Sequence, residues 1–444
     1  MNSGSLKDFL LYDMNLSCTI NRTLEGRVIL LNKLQPFLEA MEEGNIEKLS
    51  VILDAFLLDG NPDEQYELAD LLTQYGFLQE ALQVLEHLQY LFPEENQLKI
   101  DQAQLYLELD KEDDALEMLT MVEKSSEAYP QALLTLADYY QMIGLYEVAE
   151  QKINEAIALL PSEPLLLYAK GELLFETGRY LEAARLMEDL VPHQETLQGV
   201  NLSLKLAEVY SAGAAYEEAI PYYTEALEKE VAPDVLFHAA YASFQVQHYE
   251  TAAKHLESLL EIDPDYFSGY MLLAETYAML EKNEEALKTI TDGIARDEFE
   301  KEYYLFAGKI SLKLGRVKEA ESFLREAIAL DPEYMEAIFI LSSLFSSEEK
   351  DHELIDLYET LKQEHFEWSS MYPFLAAAYE RLELYEKAYE FYKLAYTEHK
   401  EDAPFLQKYV YFLLEEGKRD EALEVISILQ ILQPENSEWF DMLE

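Results

Sequence analysis

A period of 34 residues runs along most of this 444-residue chain and constrains its fold more than any other feature. A small residue marks each period, as in Gly144-Leu145-Tyr146-Glu147-Val148-Ala149 and again in Gly178-Arg179-Tyr180-Leu181-Glu182-Ala183. The same slot holds Ala81, Ala115, Ala219, Ala252, Ala286, Ala320, Ala388 and Ala422, with Leu354 standing between Ala320 and Ala388. Successive slots lie 34 apart, except for a step of 36 from Ala183 to Ala219 and one of 33 to Ala252. Repetition at a fixed interval of this length means one supersecondary unit stacked many times rather than one globular core.

Other columns keep the same phase. Twelve residues before the slot stand Ala69, Ala103, Ala137, Gly171, Ala207, Ala240, Ala274, Gly308 and Ala376. Nine before it an aromatic recurs at Tyr106, Tyr140, Tyr210, Tyr277 and Tyr379, and twelve after it a proline at Pro93, Pro161, Pro264, Pro332 and Pro434. Each period therefore holds two helices of roughly 12 to 14 residues, a length that is marginal alone in water. Both must bury an apolar stripe against neighbours. Two helices approach closely only where side chains are small, which fixes Ala or Gly at the contact. Proline closes the second helix because it cannot extend one.

Taken together, these columns resemble the tetratricopeptide-repeat family over roughly residues 30 to 444. The resemblance implies an all-α fold, a right-handed α-solenoid superhelix of eleven to twelve helix-turn-helix units. Residues 1–29 match no column and read as a leader, either poorly ordered or a short helix. Residues 30–61 read as a degenerate N-terminal cap, with Gly44-Asn45-Ile46-Glu47-Lys48-Leu49 in the turn slot. Repeats 1–4 fall in 62–196 and repeats 5–11 in 197–434, and 435–444 begin a capping helix with Trp439 and Phe440. Two breaks interrupt the rhythm. Val191-Pro192-His193-Gln194-Glu195 carries the longer spacing and reads as loop drift or a hinge. The Leu354 repeat, Ser342-Ser343-Leu344-Phe345-Ser346-Ser347-Glu348-Glu349, reads as lacking both small columns, through drift or a local kink.

Charge narrows the partners. The chain has 88 Asp plus Glu against 33 Lys plus Arg, a formal net charge of −55. Phosphate backbones and anionic lipid surfaces repel such a chain, while basic partners and solubility are favoured. Cys18 is the sole cysteine, so no internal disulfide forms and a reducing cytoplasm fits. No apolar run approaches the ~20 residues that a membrane-spanning helix needs. The expectation is a cytoplasmic protein without membrane insertion and without a nucleic-acid partner.

The sequence shows little chemistry. It holds neither G-x-x-x-x-G-K-[ST] nor G-x-G-x-x-G. His352-Glu353 is followed by Leu354-Ile355-Asp356, so a second metal-binding histidine is missing. His248 and His255 lie seven apart, lack a converging third ligand and read as a solvated pair. Cys18 has no base near it in sequence. No catalytic residue, cofactor, metal ligand or small-molecule substrate is assigned, and the repeats leave no room for an enzyme domain.

The resemblance implies a concave groove lined by the first helix of each repeat. Counting back from the slot residue gives the groove set Tyr66, Asp70, Asp138, Tyr168, Glu172, Phe175, Glu208, Phe237, Tyr241, Phe244 and Glu275. Acids alternating with aromatics suit an extended or helical segment that carries Lys or Arg between apolar anchors. The plainer reading is that the acids share the global excess and the aromatics belong to the core. Family members that capture a chaperone's C-terminal carboxylate use Lys, Arg and Asn on these helices. Here Lys205 and Lys309 are isolated exceptions, which excludes that variant. The local phrasing is most similar to the acidic all-repeat proteins of Gram-positive bacteria. The expected function is a non-enzymatic scaffold or adaptor for protein or peptide partners, basic ones favoured. A peptide-sensing regulator acting on another protein is the second reading, although 1–29 is too short for a DNA-binding head and the charge opposes DNA.

Overall fold

Each helix pair turns through the residue five places before the small slot, and that residue is left-handed in all eleven described pairs. The computed structural model describes residues 46–436 except 198 and 364, together with Phe37, Ala40 and Trp439. Eleven helix pairs follow a first helix, α1 (Ile46–Asp59), among the described residues. Up to Val231 these are α2 (Pro62–Gln74) with α3 (Leu78–Leu91), α4 (Asn96–Glu108) with α5 (Glu112–Thr120), and α6 (Tyr129–Met142) with α7 (Tyr146–Leu159). Then come α8 (Pro164–Glu176) with α9 (Tyr180–Leu190) and α10 (Leu202–Ala212) with α11 (Tyr216–Lys229). From Ala232 the pairs are α12 (Pro233–Gln245) with α13 (Tyr249–Ile262), α14 (Phe267–Met279) with α15 (Asn283–Ile294), and α16 (Lys301–Lys313) with α17 (Val317–Leu330). The last are α18 (Met335–Ser347) with α19 (Asp351–Gln363), α20 (Tyr372–Arg381) with α21 (Tyr385–Glu398), and α22 (Ala403–Glu415) with α23 (Arg419–Leu432). The chain divides into two compact units between Val231 and Ala232.

Local chemistry starts and stops these helices. Asn61 and Asp402 cap α2 and α22, accepting from the N–H groups of Glu64 (2.9 Å) and Phe405 (3.1 Å). Pro62, Pro164 and Pro233 occupy first turns, where a missing N–H costs nothing. At the other end of each first helix the turn residue has φ between 53° and 81°. The next N–H then closes back onto a carbonyl of the last helical turn at 2.8 Å, as in Leu145 to Tyr140 and Lys418 to Leu413. That bond and the left-handed residue together make a Schellman stop. Six of these eleven turns use a non-glycine: Asp110, Ala214, Gln247, Glu281, Glu349 and Glu383.

The small columns pack as their spacing demands. Ala81, Ala115, Ala149, Ala183, Ala219, Ala252, Ala286, Ala320, Ala388 and Ala422 are all 0 % exposed, and so is Leu354. At Gly308 the helices come so close that a Cβ would sit 2.9 Å from the Leu324 side chain. The Leu354 repeat proves not to lack its first-helix small residue: Ser342, twelve places before Leu354, is fully buried there. Its irregularity lies after α19, where a 3-10 turn at Ser369–Met371 precedes α20.

The longer spacing after Ala183 is absorbed by a two-stranded hairpin, Thr196–Leu197 against Val200–Asn201, with Thr196 opposite Asn201. Such a hairpin was not expected from the sequence. It buries Leu197 and hands over to α10 through Asn201, whose side chain accepts from the Leu204 N–H at 3.0 Å. The division into two units falls one helix pair later. In the N-terminal unit Phe37 meets Phe56 edge to face at 5.1 Å. In the C-terminal unit one continuous core reaches from Leu305 to Trp439. Trp439 is buried, and its indole N–H donates to Gln433 Oε1 at 3.1 Å. Residues 1–29, the Gly44-Asn45 turn and Phe440 lie outside the described residues.

Candidate functional site

Positions eleven and fifteen before the slot alternate with the buried small column along each first helix, so the 3.6-residue turn brings them to one side. In the N-terminal unit this side is polar. Tyr66 Oη donates to Asp101 Oδ2 at 2.7 Å, and Gln97 Nε2 donates to the other oxygen at 2.8 Å. Burial pushes the Asp101 carboxyl up to about 6, against the lowering effect of those two bonds. Asp70 is half-buried, whereas Asp138 is 7 % and Tyr168 only 2 % exposed. Those last two members of the groove set lie within the packing and have no face for a partner.

Glu172, Phe175 and Glu208 converge on one cation. Lys205 Nζ lies 3.1 Å from Glu172 Oε2, 3.7 Å from Glu208 Oε2 and 4.7 Å from the centre of the Phe175 ring. Lys205 is thus no isolated exception, because it reaches from α10 across to α8 and compensates two of the predicted acids. Burial still raises the Glu172 carboxyl above its ordinary range, with Lys205 pulling the other way. Burial, followed by the charges of Glu172 and Glu208, holds the Tyr168 hydroxyl far above the usual phenol range.

The C-terminal unit presents aromatics on the corresponding side. Half-buried Phe237 packs on Tyr266 at 5.2 Å, and Phe244 meets Tyr249 edge to face at 5.4 Å. Tyr241 is 38 % exposed. Glu275 is half-buried, and burial alone raises its carboxyl. Lys309 pairs with Glu336 at 2.6 Å. Sequence reasoning missed Phe339 and Tyr411, 49 % and 42 % exposed, although they occupy the positions fifteen and eleven before Leu354 and Ala422. Phe339 meets the ring of Phe374 at 5.6 Å, and Tyr411 that of Trp439 at 6.0 Å. Extending the same count past Ala286 would have found both.

The second helices carry a separate feature, an open cleft of about 430 Å³ between α15 and α17. Leu287 and Phe323 line it with Lys288, Arg316 and Glu284, and Arg316 pairs with Glu284 at 2.7 Å. Of the two spaced histidines, His248 is exposed and His255 half-buried, its pKa lowered by that burial. Among the described residues no group of three or more His, Cys, Asp or Glu is arranged to hold a metal ion. No described helix is long and apolar enough to cross a membrane.

Helix pairs of 34-residue period, closed on fully buried small residues, define a tetratricopeptide-repeat protein. Residues 204–267, 243–310 and 301–334 match general tetratricopeptide-repeat families. Residues 141–195 match YpiA-like tetratricopeptide repeats, and 367–436 match YpiA-like C-terminal tetratricopeptide repeats. The TPR repeat-containing protein YpiA of Bacillus subtilis (strain 168) is 36% identical over 405 residues, 91% of this chain and 96% of that protein. The chain belongs to the YpiA-like family of tetratricopeptide-repeat proteins. Similarity extends at 27% identity to the human mitochondrial import receptor subunit TOM70, over 29% of this chain and 23% of that one. Among solved structures, the APC/C hetero-tetramer Cut9-Hcn1 aligns over 93% of this chain and 96% of its own, with TM-score 0.34 and 14% identity. Proteins of this class are in general interaction scaffolds rather than catalysts.

Proposed function

We propose that this protein is a non-enzymatic scaffold or adaptor of the cytoplasm, holding protein or peptide partners against the face built by its first helices. One observation carries the reading. Tyr241, Phe339 and Tyr411 stay 38 %, 49 % and 42 % exposed at positions eleven or fifteen before their slots. Exposed aromatics in register offer rigid anchoring surface at low entropic cost, which is where interface energy concentrates. The net charge of −55 favours partner segments bearing lysine or arginine, chiefly by speeding and steering their approach.

The test is affinity capture with the full chain, repeated with the double variant Tyr241→Ala, Phe244→Ala, whose helix content is checked by circular dichroism. Partners captured by the wild type should be lost or strongly reduced. An unchanged set of partners refutes the assignment of this face.

A further inference from the structure

The repeat register allows one part of the molecule to be compared with another. Around Lys205, four positions converge: eleven and eight before one slot (Glu172 and Phe175, before Ala183), and fourteen and eleven before the next (Lys205 and Glu208, before Ala219). Two carboxylates and an aromatic face cradle an ammonium group there. In the C-terminal unit the same four positions, counted from Ala252 and Ala286, hold Tyr241, Phe244, Leu272 and Glu275. The aromatic and one acid are retained, and a second aromatic replaces the other acid. The cation is gone, because buried Leu272 stands where Lys205 stood.

Glu275 is consequently left with a half-buried carboxylate and no ion pair among the described residues. On the following first helix Lys309 is engaged with Glu336 and Lys301 with Asp331, both at 2.6 Å, and Lys313 lies exposed in the last turn. Burial disfavours the charge of Glu275, and no neighbouring group among the described residues offsets that effect. A half-buried carboxylate that lacks an internal counter-charge gains from an ammonium supplied from outside, and aromatic faces on the same surface add to that gain.

We infer that Tyr241, Phe244 and Glu275 form a receptor for a lysine side chain of a partner segment, the counterpart of the arrangement that Lys205 completes internally. The inference rests on the scaffold reading and gives its partner a chemistry: a segment with a lysine flanked by apolar residues that cover the neighbouring aromatics. Phe237, packed on Tyr266, continues the apolar surface on the same helix as Tyr241 and Phe244.

The probe is a dye-labelled twelve-residue peptide with one central lysine between leucines, compared with the same peptide carrying acetyl-lysine. Fluorescence anisotropy on the full chain should show the lysine peptide binding about tenfold tighter, the worth of one partly desolvated charge-assisted contact. Glu275→Gln should abolish that preference. Leu272→Lys should also weaken the lysine peptide about tenfold, by filling the receptor from within. A carbon-13 titration of Glu275 gives a second reading: its pKa falls on adding the lysine peptide and stays put with the acetylated one. Equal or undetectable binding of the two peptides overturns the inference, as does a Leu272→Lys variant that binds like wild type. If captured partners are lost with Tyr241→Ala, Phe244→Ala but retained by Glu275→Gln and Leu272→Lys, the lysine receptor fails and the scaffold face stands. If all these variants capture alike, the scaffold face itself fails.

Discussion

Replacing Gly144 with alanine isolates the conformational cost of the inter-helix turn. Gly144 has φ +75°, and a Cβ built on it meets nothing within 4 Å, so a substitution there meets no steric clash. The left-handed conformation costs an L-residue about 1–2 kcal/mol. Alanine recovers about 0.4–1 kcal/mol by restricting the unfolded chain. The expected net loss is therefore about 0.5–1 kcal/mol. Ala214 occupies the equivalent turn two repeats later, with φ 57° and an exposed side chain, so Ala214→Gly should gain a similar amount. Long repeat arrays need not unfold in one step, so the effect is best read locally. The amides of Leu145 and Ala215 donate to Tyr140 and Tyr210 carbonyls at 2.8 Å and report the opening of their own turns by hydrogen exchange. Gly144→Ala should speed exchange at Leu145 about two- to fivefold, and Ala214→Gly should slow it at Ala215 by a similar factor, following the Boltzmann weight of that energy. Unchanged exchange in both, or the same sign in both, would refute the reasoning, since neither site offers a packing effect to hide behind.

Two further predictions concern the buried columns and the polar side of the N-terminal unit. Ala149→Leu overfills a fully buried contact between α6 and α7 and should cost about 1–3 kcal/mol, seen as a lower urea midpoint. Asp101 titrates in a direction that can be tested, because folding raises its pKa from 3.8 to about 6. Between those values the folded chain keeps a proton that the unfolded chain has shed, so stability declines as pH rises through the window, by at most about 3 kcal/mol. Asp101→Asn cannot ionise. Its stability relative to wild type should therefore improve by about 2 kcal/mol between pH 4.5 and 7.5, whatever constant offset the amide introduces. A pH-independent offset between the two urea curves would show that Asp101 is not desolvated as described.

Much of the fold was legible because the deciding contact recurs. Where helices nest, volume is limited in the same way each time, so selection for a small side chain leaves a periodic trace, and all ten slot alanines are fully buried. Proline and the capping residues add local stop and start signals of the same kind. Less was legible where several residues satisfy one geometry. Glu281, Glu349 and Glu383 adopt the left-handed turn without the glycine that would announce it. Ser342 fills a small slot that reads as broken when only Ala and Gly are counted. The hairpin at Thr196–Asn201 escaped notice because two-residue strands leave no alternation to read.

The candidate face divides along the same line. Its positions follow from counting along a helix, since 3.6 residues per turn settles which side chains share a side. The sequence by itself determined the repeating helix pair and which positions of each first helix share a side. Only the tertiary structure decided that Tyr168 and Asp138 sink into the packing, that Lys205 pairs with Glu172 from the next first helix, and that Glu275 has no such cation among the described residues. The physical reason is range. Steric fit between adjoining helices acts at one fixed contact and is written in every period. Charge compensation depends on how far a long, flexible side chain reaches across to a helix 33 residues away, and no local pattern encodes that reach.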